Sequence, residues 1–350
     1  MAMANISLKT AVLGLNADGL DLLRAAVNAR NFDICAVADS DINVAEEIAA
    51  RYNCAPFDDY RQLVIQNDLD VLLVGAPIHL CDDQIRTAMK KKINIVRLAP
   101  PSLNFEHIAD LVKIAQKNNV RLLTISPNRF APGFTKLREY LRDKDLSQFH
   151  LITALCFLPD NLNDLEDRWL NDPELAGGGV LLRNCYHIID ELVMDIGLPE
   201  KVFAVSTNHA PDRQQRLSIT EDTINITFKF SETLVANLTA TRIFGPEEQS
   251  IRIHGNKICI TATAESFTIA DNTGNVIEQS VCEANRLENI EAALKSIAAG
   301  ITKPDSNPII GDETSDLKNM AVIESAYLST RTASPEEPAK ILELEANIPQ

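Results

Sequence analysis

The chain has 350 residues, enough for two domains with a sizeable core. Hydrophobic residues make up 45% and charged residues 23%, the composition of a soluble globular protein. The net charge of -16 argues against nucleic-acid binding, which needs a basic footprint. No run of about 18 apolar residues predicts a membrane span.

The segment from Met1 to Thr10 lacks the basic and then apolar order of a signal peptide. Cys35, Cys54, Cys81, Cys156, Cys185, Cys259 and Cys282 are scattered without metal-ligand spacing, so no metal site is expected. They are expected as reduced thiols of a cytoplasmic protein. The acidity reads as a solvated surface rather than as a partner site.

The first third alternates short apolar runs with helical patterns. Strands are predicted at Lys9–Leu13, Ile34–Ala38, Val71–Val74, Asn94–Val96 and Arg121–Ile125. Between them, helical patterns cover Leu20–Asn31, Val44–Tyr52, Tyr60–Gln66, Asp83–Lys92 and Asn104–Lys117. Near-continuous apolar strands separated by helices imply a parallel sheet covered on both faces.

From Phe149 the pattern changes. Alternating segments occupy Phe149–Phe157, Val202–Thr207, Thr223–Phe230, Thr233–Ile243, Ser250–Ile253 and Ile258–Thr261, which suggests an antiparallel sheet. Helices are expected at Asn184–Met194, Arg286–Ala299 and Asp312–Arg331, and surface strand or coil at Ser334–Gln350. The reading is an α/β chain. Residues 1–127 form a Rossmann dinucleotide-binding domain, and residues 128–350 an α+β domain with a large, mainly antiparallel open sheet that binds substrate and self-associates.

Gly14-Leu15-Asn16-Ala17-Asp18-Gly19 falls between the first strand and the first helix, where a dinucleotide fold places G-x-G-x-x-G. Gly14 permits the tight turn and Gly19 the close packing of helix on strand. Asn16 replaces the middle glycine, and is the residue after glycine most tolerant of positive φ. Asp18 adds an unfavourable carboxylate near the pyrophosphate site. Asp39, followed by Ser40, ends the second strand where the ribose hydroxyls are received. Asp39 and Asp41 would repel a 2′-phosphate, so NAD is favoured over NADP. An empty, degenerate Rossmann-like site is the alternative.

Trp169 to Asp190 reads W-L-N-D-P-E-L-A-G-G-G-V-L-L-R-N-C-Y-H-I-I-D. This run resembles the substrate-site signature of the glucose-fructose oxidoreductase and inositol dehydrogenase family (Gfo/Idh/MocA), G-G-G-x-L-x-D-x-G-x-H-x-x-D. Gly177, Gly178, Gly179, Leu181, His187 and Asp190 match. Arg183 stands at the family's catalytic Asp, and Cys185 at the following Gly. Ala76-Pro77-Ile78 resembles the family's T-P-N segment beside the nicotinamide, with Cys81 at its terminal His. Leu98-Ala99-Pro100 resembles the Glu-Lys-Pro segment, so Ala99 replaces the catalytic Lys. Arg129-Phe130-Ala131-Pro132 resembles the R-F-x-P stretch. The resemblance implies a cofactor site at Gly14–Asp18, Asp39, Ser40, Ala76, Pro77, Ala99 and Pro100. It also implies a substrate site with Arg183, Asn184, Arg129 and Trp169.

Sugar dehydrogenases of this family pass the hydroxyl proton to a His tuned by Lys and Asp. Of that set His187 alone remains here, four residues after Arg183, so that both can share a helix face. Losing a positioned acid/base group costs about 10²–10⁴-fold in rate, which argues against ordinary polyol oxidation. Arg183 either pairs with a local carboxylate such as Asp190 or Glu191, or clamps an anionic ligand. Family branches resembling biliverdin reductase work without the Lys. The expectation is therefore a divergent NAD-dependent oxidoreductase acting on a small, acidic, sugar-derived carbonyl or hydroxy compound. A non-catalytic NAD-binding sensor or interaction protein is the main alternative, and an NAD-holding hydrolase a weaker one. A homodimer or homotetramer through the second domain's sheet is also expected.

Overall fold

The protein is described from a computed structural model, over residues 7–159, 168–209, 219–304, 306–307 and 309–346. Two compact units emerge: Met1–Pro101, His107–Pro127 and Asn285–Asp316 in the first; Ser102–Glu106, Asn128–Ala284 and Leu317–Gln350 in the second.

The first unit is built on six parallel strands: β1 (Leu8–Leu13), β2 (Phe32–Ala38), β3 (Ala55–Phe57), β4 (Val71–Val74), β5 (Asn94–Leu98) and β6 (Leu122–Ile125). Their order is β3-β2-β1-β4-β5-β6, the doubly wound order of a dinucleotide-binding fold, with a topological switch between β1 and β4. All four residues of β4 are buried, as a central strand covered on both faces requires.

The connecting helices are α1 (Ala17–Ala29), α2 (Ile42–Tyr52), α3 (Tyr60–Gln66), α4 (Ile78–Lys90) and α5 (Phe105–Asn118). α1 buries Leu22, Leu23, Ala25 and Ala26 and ends on Arg30 in the left-handed conformation. The peptide between Ala99 and Pro100 is cis.

The second unit carries α6 (Pro132–Leu141), β7 (Phe149–Phe157), α7 (Pro173–Ala176), α8 (Val180–Arg183), α9 (Tyr186–Asp195), β8 (Lys201–Thr207), β9 (Thr223–Lys229), β10 (Val235–Thr241), β11 (Glu248–Gly255), β12 (Ile258–Ala262), β13 (Ser266–Asp271) and β14 (Val276–Val281). The chain then forms α10 (Arg286–Thr302), α11 (Glu313–Thr332) and α12 (Pro338–Ala346). α10 packs on α1 in the first unit.

The eight strands are ordered β14-β13-β12-β11-β7-β10-β9-β8. All neighbours are antiparallel except β7 and β10. Along β9, Ile224, Ile226 and Phe228 are buried while Asn225 and Thr227 are exposed, so one face is core and the other is open. On the open face, Asn225 donates to Thr239 (2.9 Å) and Asn237 donates to Asn225 (3.1 Å).

Two expectations about elements change. The β13–β14 hairpin was not anticipated; it turns at Asp271, whose Oδ1 accepts from the Thr273 and Asn275 amides. The terminal segment is not only strand or coil: Glu336 bridges Val202, and α12 follows. The helix expected over Asn184–Met194 is α9, Tyr186–Asp195, and a separate short helix, α8, ends just before it at Arg183. Arg183 and His187 therefore lie on different helical segments rather than on one unbroken helix.

Candidate dinucleotide turn and substrate loop

The turn after β1 is shaped by three close backbone approaches. Gly14 has φ 84°, and a Cβ there would lie 2.4 Å from the Ala76 amide nitrogen. A Cβ on Gly19 would lie 1.8 Å from the Gly14 carbonyl oxygen, and one on Gly75 2.3 Å from the Gly19 Cα. Only glycine fits at these positions, so the turn is held tight against the start of α4.

Asn16 does not take the expected left-handed conformation. Its φ is -64° with extended ψ, and its side-chain oxygen accepts the Gly19 N–H at 3.0 Å. It is the N-cap of α1, a role for which Asn is among the best residues. That cap occupies one N–H at the helix terminus, the end that attracts anions. The exposed amides of Asn16 and Ala17 have no acceptor among the described residues.

Asp39 reaches back to the turn. Its Oδ2 accepts the Leu15 N–H at 2.9 Å, and its Oδ1 accepts the Asp41 N–H at 3.0 Å. Ser40 lies within 3.5 Å of Oδ1. Tyr60 sits beside this corner, and burial, aided by the Asp39 charge, pushes its phenol up to about 12. Asp18 is balanced by Arg286 at the start of α10, at 2.9 Å, and the same arginine reaches Asp21 at 3.1 Å. Sequence reasoning missed Arg286, which lies 268 residues from Asp18.

Pro77 is the N-cap of α4, and His79 lies in its first turn. Cys81, at the position of the family's His, is fully buried and donates to the Pro77 carbonyl at 3.2 Å. Burial raises its thiol to about 11, so it stays protonated.

In the second unit the triple glycine answers three separate contacts. Gly177 has φ 77°, and a Cβ there would meet Leu103 at 2.2 Å. A Cβ on Gly178 would meet the Tyr327 hydroxyl at 2.1 Å, and one on Gly179 the Glu221 carbonyl at 1.8 Å. Glu221 then caps α8: its carboxylate accepts from Gly179 (2.9 Å), Leu181 (3.0 Å) and the Tyr327 hydroxyl (2.9 Å). Burial raises its pKa, and the two amides oppose that rise. No local pattern marked Glu221 or Tyr327 in the sequence.

Arg183 ends α8. Its Nη2 donates to the Ala176 carbonyl at 2.8 Å, and its guanidinium carbon lies 4.7 Å from the centre of the Trp169 ring. That is a cation–π contact, which favours arginine over lysine. The Trp169 turn is held from below by buried Arg242, which donates to Asn171 (3.1 Å) and Thr220 (2.9 Å). Thus Arg183, Trp169 and the glycine loop form one assembly.

Neither carboxylate suggested as a partner for Arg183 takes that part. Asp190 is claimed by Arg129, through Nε at 2.6 Å and Nη2 at 2.7 Å, with both side chains 1% exposed. Asn319 adds a third bond to Asp190 at 2.7 Å. Glu191 is claimed by Arg138 at 2.7 Å. Arg129, expected to bind substrate, is buried with its fork on Asp190 of α9, the helix that carries His187. His187 is half-buried beside the Tyr186 ring. Asn184 joins α8 to α9; its carbonyl accepts the Cys156 thiol at 3.3 Å, and its side-chain oxygen is buried without a donor.

Among the described residues, no helix is long and apolar enough to cross a membrane, and no group of three His, Cys, Asp or Glu is placed to hold a metal ion.

Two family profiles match the chain: the oxidoreductase family with NAD-binding Rossmann fold over residues 8–126, and the GFO/IDH/MocA C-terminal domain over residues 134–261. D-xylose 1-dehydrogenase (NADP(+)) 2 of Haloferax volcanii is 24% identical over 199 residues, 56% of this chain and 60% of that protein. The chain thus spans less than two thirds of this curated relative. An oxidoreductase from Agrobacterium radiobacter, solved with NAD+, L-tartaric acid and magnesium, has a TM-score of 0.80 at 13% identity, covering 96% of this chain and 99% of that one. Levoglucosan dehydrogenase, solved with NADH and L-sorbose, has a TM-score of 0.84 at 15% identity, covering 96% and 100%. These likenesses extend the shared fold over almost the whole chain. The chain belongs to the Gfo/Idh/MocA oxidoreductase family.

Proposed function

We propose that this protein is a nicotinamide-dinucleotide oxidoreductase whose substrate is a small anionic sugar acid or hydroxy acid. The observation that carries the nucleotide half is the glycine-shaped turn at the switch between β1 and β4, with Asp39 bonded to its backbone. The residues fit a dinucleotide: Asn16 and Ala17 offer amides to a diphosphate, and Asp39 stands where a ribose is received. Asp39 and Asp41 favour NAD over NADP by charge, although the xylose dehydrogenase relative is named for NADP(+). When bound, the nicotinamide would supply the hydride acceptor.

The substrate half rests on Arg183. It replaces the family's acidic group with a cation stacked on Trp169, a combination suited to a carboxylate. His187, on the next helix, is the residue we assign to take the hydroxyl proton. The solved relative with L-tartaric acid lends support, and the one with L-sorbose shows that the fold also takes a neutral sugar.

We further infer a symmetric homo-oligomer through the open face of the sheet, where Phe203 (38%), Val205 (61%) and Val235 (42%) stand exposed among small polar residues. The cysteines of the described residues are all free thiols, which suits a reducing cytoplasmic compartment. The functional test is calorimetric titration with NAD and NADP, then a panel of matched acids and alcohols on the loaded protein. Binding of dinucleotide and acid supports the reading. Binding of neither overturns it. Ligand binding without turnover, coupled to capture of a protein partner, would favour a sensor.

A further inference from the structure

We propose that Arg97 is the built-in positive charge of the dinucleotide site, and that its field makes the site prefer the reduced cofactor, with its neutral ring, over the oxidised one, with its cationic ring. This rests on reading the β1–α1 turn as a nucleotide site. Arg97 is the fourth residue of the five in β5 and pairs in register with Val74 of β4 and Thr124 of β6. It lies next to the carboxyl edge of the sheet, where open α/β sheets hold ligands. Asp39 follows β2, on one side of β1. β5 lies on the other side, beyond β4. A dinucleotide with its adenosine ribose at Asp39 extends its nicotinamide half towards β4 and β5.

The side chain is unusual for a strand interior. Arg97 is 6% exposed. Its Nε donates to the Leu98 carbonyl at 3.3 Å, and its buried Nη1 has no acceptor among the described residues. The charged groups that act on it from a distance are Asp18, at the start of α1, and Asp316. Asp18 is already bonded to Arg286. Cys81, on α4, also faces it but is a neutral thiol.

Burial pushes the guanidinium's pKa down, yet arginine stays charged in proteins. A buried arginine without a bonded anion is costly. The diphosphate supplies negative charge at the edge where this chain has Asp18 and an occupied Gly19 amide. The same field is felt by the ring. It attracts the diphosphate of both redox forms and opposes only the ring cation of the oxidised one. Arg97 is assigned here as a charge-setting residue that acts through its field, not as one that touches the reacting atoms.

The test is calorimetric titration of NAD+ and of NADH into the full-length protein and into Arg97→Met and Arg97→Lys. We expect wild type to bind NADH about tenfold tighter than NAD+, the effect of a unit charge several ångströms away at an intermediate dielectric. Arg97→Met should weaken NADH and bring the two dissociation constants to within about threefold. Arg97→Lys should keep the preference. An apolar replacement of similar volume is expected to leave the fold intact, since a buried charge is removed rather than left unpaired. If Arg97→Met does not fold, Asp18→Asn carries the test: losing this exposed negative charge should widen the NADH preference. Equal affinities in wild type, an unchanged ratio in Arg97→Met, or no widening in Asp18→Asn would overturn the inference. Failure of wild type to bind either form would instead overturn the nucleotide site itself.

Discussion

Arg129 and Asp190 meet as a fork on a fork, at 2.6 and 2.7 Å, with each side chain 1% exposed. The pair fixes α9, and with it His187, to the short turn that precedes α6. Removing one partner leaves a buried charge unpaired, at a cost of about 3–5 kcal/mol. Arg129→Ala and Asp190→Ala should each lose stability on that scale in urea melts. The double variant should recover part of the loss. A single variant that melts with wild type would show the fork to be idle.

Alkaline pH should weaken the fold. Glu191 is fully enclosed beside Arg138, and burial raises its carboxyl to about 8; burial likewise raises Asp195 to about 6. Asp195 lies 3.3 Å from Arg138, without hydrogen-bond geometry. Both carboxyls bind a proton more tightly folded than unfolded. Their contribution is greatest below about pH 4 and shrinks as pH rises to about 8, by at most about 1.4 kcal/mol per pH unit for each proton. Glu191→Gln should flatten this dependence in denaturation series between pH 5 and 9. A slope that is the same in both proteins would contradict the assignment.

Asn16 holds an amide that a diphosphate could use. Asn16→Gly should free the Gly19 N–H while costing the α1 cap only a few tenths of a kcal/mol. We expect tighter NAD binding by calorimetry with an almost unchanged melting temperature. Weaker binding would mean that the cap itself orders the turn.

The open sheet face should be a contact between copies. Val205→Lys, on the exposed side of β8, should lower the mass seen by light scattering without changing the melting temperature of the separated subunit by more than a few degrees. A wild-type monomer at micromolar concentration would remove the proposal.

The sequence and the structure agree where apolar runs decide the outcome. β1 and β4 are readable because central parallel strands are buried on both faces. β14 is not, since this edge strand keeps Val276, Ile277 and Val281 exposed and so shows no burial alternation. The break between α8 and α9 is hidden because V-L-L-R-N-C-Y-H-I-I carries a continuous helical pattern. The fold interrupts it where Glu221 caps α8 and α9 restarts at Tyr186. Asn16 was open to a better reading: an Asn before a helix, three residues ahead of an amide it can cap, is an N-cap signal. The partners of Asp18, Asp190 and Glu191 were not readable, because Arg286, Arg129 and Arg138 reach them across long stretches of chain.

The central claim is that Arg183 makes the second unit an anion site. The direct measurement is a thermal-shift panel of matched sugar acids and alcohols, on wild type and Arg183→Asp, both saturated with dinucleotide. Ligands that bind the native state raise the apparent melting temperature. The account predicts larger shifts for acids in wild type and loss of that preference in Arg183→Asp, with polyol oxidation returning only when Ala99→Lys is added. Equal shifts for acids and alcohols, or a preference that survives Arg183→Asp, would contradict it.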